Sequence, residues 1–427
     1  MVASFAVGVQ LARVLGVSGY GYYGMAVAVI TLAGIPGEMG LPRLVTREVA
    51  AAKARGDMPV LFGVLRWADR TAWRISGLMA VGVLVAGFII SRQNTSVLVV
   101  AILCGVPMIP LLALARIRGG ALQGLHYIVL GQIPDTLLRP ILLSSLILLV
   151  TLLRLPFGPA YAMVLNSVTA AVVFGVAYSV LRTRLPKERP AQIAKGGRRW
   201  LASSIPMALT DGMRILQSEL SVLLLGFLAV PADVGLFRIA NITAFAAATP
   251  VAIINFVAFP VIARLFAEKD FVRLQHALTR LAQAQFGGVL LLCLPLLLIP
   301  GPLLSLVFGP GFVPASTTLQ ILAAAQLFTS GFGLNVALLN MTHHERRVTR
   351  AMAIGLAVNI AGVTLLTLAW GRNGAAVGVA CALLCSNVVT WIDSRRMLGF
   401  ETSILAIPNS VKPDVMARQR AQENEGQ

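Results

Sequence analysis

Residues 75–115 read ISGLMAVGVLVAGFIISRQNTSVLVVAILCGVPMIPLLALA. Two apolar runs without a single charge, 75–91 and 96–115, flank a polar break around Arg92. A helix needs about 20 apolar residues to cross a bilayer, whereas a barrel strand needs only about 10, in polar–apolar alternation. Neither run alternates. In lipid only helices and closed barrels satisfy every backbone N–H and C=O, so the stretch is read as a membrane helical hairpin.

Working outward, the pattern recurs along the chain. Spans are predicted at 2–16, 20–41, 75–91, 96–115, 129–152 and 157–181, then at 200–229, 233–262, 286–308, 316–340, 351–370 and 374–393. The expected fold is all-α, a polytopic membrane protein of about twelve transmembrane helices. Composition agrees: 57% of the 427 residues are hydrophobic and only 12% charged, about half the usual share. Mean hydropathy is +0.82. A soluble enzyme, a disordered chain and a basic nucleic-acid-binding factor are excluded, the last despite a net charge of +18, because such a factor is rich in charge overall.

The cations mark the topology. Most of the 35 Lys and Arg residues fall in alternate loops and in the tail: Arg43 to Arg74, Arg116 and Arg118, Arg182 to Arg199, Arg264 to Arg280, Arg346 to Arg350, and Arg395 to Arg420. Positive charge gathers on the cytoplasmic side, which predicts a multi-pass protein of the inner (plasma) membrane with both termini cytoplasmic. Arg43 reads as a cytoplasmic anchor. Segments 42–74 and 263–285 read as amphipathic helices lying on the inner face, with their cations toward anionic lipid. The N-terminus lacks the basic start of a signal peptide, and its first apolar run is short for a full span.

An internal repeat divides the chain. Tyr20-Gly21-Tyr22-Tyr23 aligns with Val234-Gly235-Leu236-Phe237, Gly56-Asp57-Met58 with Lys269-Asp270-Phe271, and Gly158-Pro159-Ala160 with Gly374-Ala375-Ala376. Six spans per half keep both halves in one orientation, as in a parallel repeat. The expected organisation is a six-helix bundle over 1–181 with an incomplete first helix, a basic linker at 182–199, a second bundle over 200–396 and a cytoplasmic tail at 397–427.

A charge in a membrane helix costs about 2.5–3.5 kcal/mol on insertion scales, so each one asks for a role. Gln132, Asp135, Thr136 and Arg139 form one helical stripe in the fifth span. Asp211, Arg214 and Ser218 share a face of the seventh, with Glu219 beside them. Arg238 and Asn241 mark the eighth, and Tyr20, Thr31 and Glu38 the second. One reading is structural: Asp135–Arg139 and Asp211–Arg214 pair within their helices, and Arg238 snorkels. The other is a cavity. Arg214, Arg238, Asn241, Arg139 and Gln132 are then candidates to bind substrate, since guanidinium suits phosphate oxygens. Asp211, Glu219, Asp135 and Glu38 are candidates to couple transport to a cation. There is no Gly-rich phosphate loop and no catalytic signature, so neither an enzyme nor an ATP motor is expected. Cys104, Cys293, Cys381 and Cys385 read as buried residues within helices. His343 and His344 read as a solvated loop. No cofactor and no metal are expected.

The run Leu11-Ala12-Arg13-Val14-Leu15-Gly16 followed by Gly19-Tyr20-Gly21 resembles the opening of Wzx-type polysaccharide flippases of the multidrug/oligosaccharidyl-lipid/polysaccharide (MOP) exporter superfamily. Gly40-Leu41-Pro42-Arg43, Ile205-Pro206-Met207, Phe259-Pro260 and Asn373-Gly374-Ala375-Ala376 continue the resemblance. Family members usually carry a longer first helix. The resemblance implies alternating access that moves polyprenyl-pyrophosphate-linked oligosaccharide from the cytoplasmic to the outer leaflet. Its implied partners are the lipid-linked oligosaccharide, the bilayer, and a polysaccharide polymerase with other assembly proteins. A monomer that binds no nucleic acid is expected. The rival readings are a cation-coupled multidrug exporter of the same superfamily and, from another class, an integral-membrane glycosyltransferase or polymerase.

Overall fold

A computed structural model describes residues 2–93, 96–186, 190, 193–194, 196–342 and 344–404. Among them every regular element is helical. In chain order they are α1 (Val2–Glu38), α2 (Leu41–Arg55), α3 (Met58–Gln93), α4 (Val97–Gly105), α5 (Met108–Gly124) and α6 (Ile128–Ile133). A π turn (Pro134–Leu138) leads to α7 (Arg139–Leu152) and α8 (Pro159–Arg184). Then come α9 (Gly197–Leu228), α10 (Pro231–Ala247), α11 (Thr249–Ala267), α12 (Phe271–Leu298) and α13 (Pro300–Val307). A 3-10 turn (Pro310–Ala315) precedes α14 (Ser316–Ser330), α15 (Asn335–Met341) and α16 (Glu345–Met397).

Two of these helices double back. In α1, Gly16 takes φ 66° and ψ −178°, a conformation only glycine adopts at little cost. A Cβ placed on Gly8 would lie 3.6 Å from the Tyr20 hydroxyl, although a straight helix would separate these residues by about 18 Å. In α16, Gly371 takes φ 56° and ψ −137°. There a Cβ on Gly362 would lie 3.0 Å from the Gly378 Cα, against about 24 Å in a straight helix. Nine stretches of the described residues are long and apolar enough to cross a membrane. Two of them contain these reversals, and α9, with Asp211, Arg214 and Glu219 in its apolar half, adds one more pass. Twelve passes result, as the sequence predicts.

The chain packs as two units: residues 1–226 with 230–235, and 227–229 with 236–427. The packing boundary therefore falls one helix later than the polar linker, because α9 packs with the first unit. Each unit has its own core, and the two cores correspond. In the first, Leu44 and Val45 of α2, Leu61 and Leu65 of α3, and Leu114 and Ile117 of α5 cluster. In the second, Ala258 and Ile262 of α11, Leu274 and Leu278 of α12, and Leu334 and Leu338 at α15 cluster. These are the same three places in the repeat. After α16, Phe400 is buried in the second core, and the Gln275 Nε2 donates to the Glu401 carbonyl at 2.7 Å.

Two expectations need correction here. Residues 42–74 do not form one surface helix but are divided between α2 and the start of α3. Leu41, Leu44, Val45, Val49 and Ala52 turn the apolar face of α2 into the protein, and residues 58–74 are the first half of the straight helix α3. Residues 263–285 likewise form the end of α11, a turn at Glu268 to Asp270, and the start of α12, with Leu265, Leu274 and Leu278 buried.

Candidate functional site

The site lies within the first unit, a cavity of about 540 Å³ lined from α1, α2, α5, the α6–π segment, α8 and α9. Its size is that of a small-molecule pocket.

Its wall begins with a local irregularity. Pro140 has no N–H to give the Thr136 carbonyl, and its ring crowds that carbonyl, which disfavours ordinary α geometry just before it. The chain responds with a π turn over Pro134–Leu138, closed by the Arg139 N–H on the Pro134 carbonyl. Such π turns often accompany functional sites. Gln132, Asp135 and Thr136 line the cavity, and the Thr136 hydroxyl donates to the Gln132 carbonyl at 2.7 Å.

Charges from four segments then meet. Arg116 of α5 pairs through Nη1 with Glu38 of α1 and through Nε with Asp135 at 3.4 Å. Arg139 approaches the other Asp135 oxygen at 3.6 Å and donates to Asn166 Oδ1 at 3.0 Å. Asn166 Nδ2 in turn donates to the Tyr23 hydroxyl at 2.7 Å. In the same lining, Arg43 of α2 pairs with Asp211 of α9 at 2.8 Å. Arg214 and Glu219 also line the cavity. Arg214 is exposed and forms no ion pair among the described residues.

Of the predicted site residues, Gln132, Asp135, Arg214, Asp211, Glu219 and Glu38 thus share one cavity, and Arg139 joins its network from behind. Arg238 and Asn241 belong to α10 within the second unit, both half-buried, and do not line it. The Asp135–Arg139 pair within one helix is present. The Asp211–Arg214 pair is not: Asp211 is held by Arg43. Two cavity arginines escaped the sequence reading. Arg43 is a wall residue of the cavity, and Arg116 stands inside a helix that continues to Gly124. Arg118 is in that helix too, buried, 3.4 Å from Asp69 and over the rings of Phe174 and Tyr178 at 4.5 and 5.4 Å. The signal was the polar and small stripe Arg116, Gly119, Gly120 and Gln123, which keeps helical spacing past the end of the apolar run.

The lining balances its charge. Arg43, Arg116 and Arg214 face Glu38, Asp135, Asp211 and Glu219, with Arg139 behind Asp135. No grouping of His, Cys and carboxylates that could hold a metal occurs among the described residues. His343 lies outside them. His344 precedes α16, its Nδ1 3.2 Å from the Thr342 hydroxyl. The four cysteines are free thiols; Cys293 is buried, whereas Cys381, expected inside a helix packing, is exposed on its helix.

The fold is shared with solved transporters. An inward-facing multidrug resistance MATE family transporter of the MOP superfamily superposes with TM-score 0.73 at 12% identity, over 93% of this chain and 94% of the other. The lipid II flippase MurJ in an inward closed conformation gives 0.72 at 12% identity, over 92% and 85%. An outward-facing MATE transporter of the same superfamily gives 0.62 at 13%, over 93% and 92%. At such identities the likeness is one of fold, the MOP transporter fold. No curated protein matches the sequence. A family model described as polysaccharide biosynthesis protein matches residues 1–266, and with well over half of its length so matched, the chain belongs to that family.

Proposed function

We propose that this membrane protein is a flippase that moves polyprenyl-pyrophosphate-linked oligosaccharide from the cytoplasmic to the outer leaflet of the inner membrane. The two six-helix halves, 1–181 and 200–396, joined by 182–199, alternate access. The observation that carries the reading is the cavity's exposed Arg214, free of any ion pair among the described residues, beside the Arg43–Asp211 and Arg116–Glu38 pairs. A diphosphate presents oxygens in the geometry guanidinium groups bind, and the polar walls suit sugar hydroxyls. Gln132 and Arg139 are assigned to the same headgroup, and Arg238 and Asn241 are proposed as substrate-binding residues of the second unit. Glu38, Asp135, Asp211 and Glu219 are assigned to cation coupling. The membership in a polysaccharide biosynthesis family supports the substrate class. A polymerase and other assembly proteins are the proposed partners of a monomeric flippase.

The test is headgroup movement in vesicles holding purified protein and a defined fluorescent polyprenyl-diphosphate oligosaccharide. Arg214→Ala should slow flipping about 10- to 100-fold, the range of a lost hydrogen-bonded charge contact, with insertion unchanged. Wild-type flipping by the variant would sink the assignment. The multidrug reading predicts instead that a cationic dye moves against an imposed proton or sodium gradient, and the four cavity carboxylates give that rival its footing.

A further inference from the structure

Helix α3 has 36 residues and so is about 54 Å long, longer than a bilayer of about 40–45 Å including its headgroups. Its outward face changes character once. Leu78, Val81, Val85 and Phe88, at helical spacing, are all more than half exposed, as acyl-chain contacts must be. The same stripe continues toward the start of the helix as Arg74, Arg70 and Arg66, four residues apart and all exposed. None of the three forms an ion pair among the described residues. The one carboxylate in the stretch, Asp69, is engaged by Arg118. Trp73, 58% exposed, sits beside Arg74 at the changeover, where indole rings settle at a membrane interface.

We propose that this stripe binds an anionic phospholipid of the surrounding bilayer. Its phosphate rests between Arg70 and Arg74, Arg66 adds a third positive charge to the same stripe, and an acyl chain lies along Leu78 to Phe88. Three exposed cations that pair with no carboxylate among the described residues complement a negative headgroup. No residue of α3 lines the cavity, so the occupant is a bulk lipid held at the periphery. The inference does not rest on the proposed substrate.

Trp73 supplies the readout. The full chain is reconstituted in vesicles of phosphatidylcholine with brominated phosphatidylglycerol, or the reverse labelling. Quenching is taken as the difference between wild type and Trp73→Phe. Brominated phosphatidylglycerol should quench more strongly at equal mole fraction. Each arginine at an anionic surface is worth about fivefold in binding. Arg74→Gln should therefore cut the preference about fivefold, the triple Arg→Gln variant should abolish it, and the triple Arg→Lys variant should keep most of it. Equal quenching by both lipids in the wild type overturns the proposal, as does a preference that survives the triple Gln variant. Displacement of phosphatidylglycerol by an equimolar polyprenyl diphosphate would assign the stripe to the other lipid and overturn the occupant.

Discussion

Replacing Arg116 by Gln isolates the energetics of the cavity network. Among the described residues Glu38 pairs with Arg116, whereas Asp135 retains Arg139 at 3.6 Å. Two charges near 4 Å apart attract by about 4 kcal/mol at an effective dielectric of 20. Stranding one partner of a fully buried pair costs about 3–5 kcal/mol. Here the Arg116 and Glu38 side chains keep 33% and 21% exposure, so water screens part of the loss, and about 2–3 kcal/mol is expected. For a unit of this size each kcal/mol moves a melting midpoint by roughly 2–4 °C. Arg116→Gln should thus lower the midpoint of thermal aggregation in detergent by about 5–10 °C, compared at one scan rate because such unfolding is irreversible. The second substitution tests the reasoning. Glu38→Gln alone leaves Arg116 its bond to Asp135 and should cost about 1 kcal/mol. Adding Glu38→Gln to Arg116→Gln removes the stranded carboxylate and should restore at least half of the loss. A double variant that melts at the sum of the two single losses would refute the coupling. So would an Arg116→Gln midpoint within about 1 °C of wild type.

Two further outcomes follow from the fold. A Cβ on Gly124 would meet the Thr46 carbonyl oxygen at 2.7 Å and the Val49 Cβ at 2.9 Å, so Gly124→Ala should cost about 1–3 kcal/mol through overpacking. Gly175→Ala, with nothing within 4 Å, should be neutral or stabilise by up to about 1 kcal/mol; the melting midpoints of the two variants decide. A reporter fused to the C-terminus should give a cytoplasmic signal in intact cells if the arginine distribution sets orientation, and a periplasmic signal would reverse the topology.

Much of the fold was legible because the bilayer leaves few alternatives. Span length, backbone satisfaction and the repeat act on whole segments, and they place the reversals at Gly16 and Gly371 between predicted spans. The site was legible in part, for a related reason. A charged side chain in an apolar run stands out, so Asp135, Asp211, Arg214 and Glu38 were found. Their partners were not, because pairing is a property of packing. Asp211 has Arg214 three residues away in sequence, yet α2 brings Arg43 to 2.8 Å. Arg116 was hidden by the habit of ending a membrane helix where apolarity ends. Helix α5 runs on because Gly120 and Gly124 let α2 pack against it: the Thr46 hydroxyl reaches the Gly120 carbonyl at 3.0 Å, and Lys53 Nζ reaches the Leu125 carbonyl at 2.8 Å. An arginine inside a helix that packs this closely on its neighbour is wall, not loop.

The balance of charge in that wall bears on how an anionic headgroup would be held. A cavity with only cations would bind a diphosphate strongly, and would also be costly to fold empty, since each buried charge would lack a partner. Three lining arginines facing four carboxylates avoid that cost. The consequence is that Arg214 is ready to meet an incoming phosphate, whereas Arg43 and Arg116 engage it only by loosening their hold on Asp211 and Glu38. Each carboxylate so released then favours taking up a cation. Arg43 is the easier to recruit, being more than half exposed and held by one acid, while Arg116 is fixed by two. On the proposed function, a headgroup would contact Arg214 first, Arg43 next and Arg116 last. The order is measurable as a graded loss of diphosphate affinity, largest for Arg214→Ala and least for Arg116→Gln; equal losses at all three positions would mean that the ion pairs place no restraint on binding.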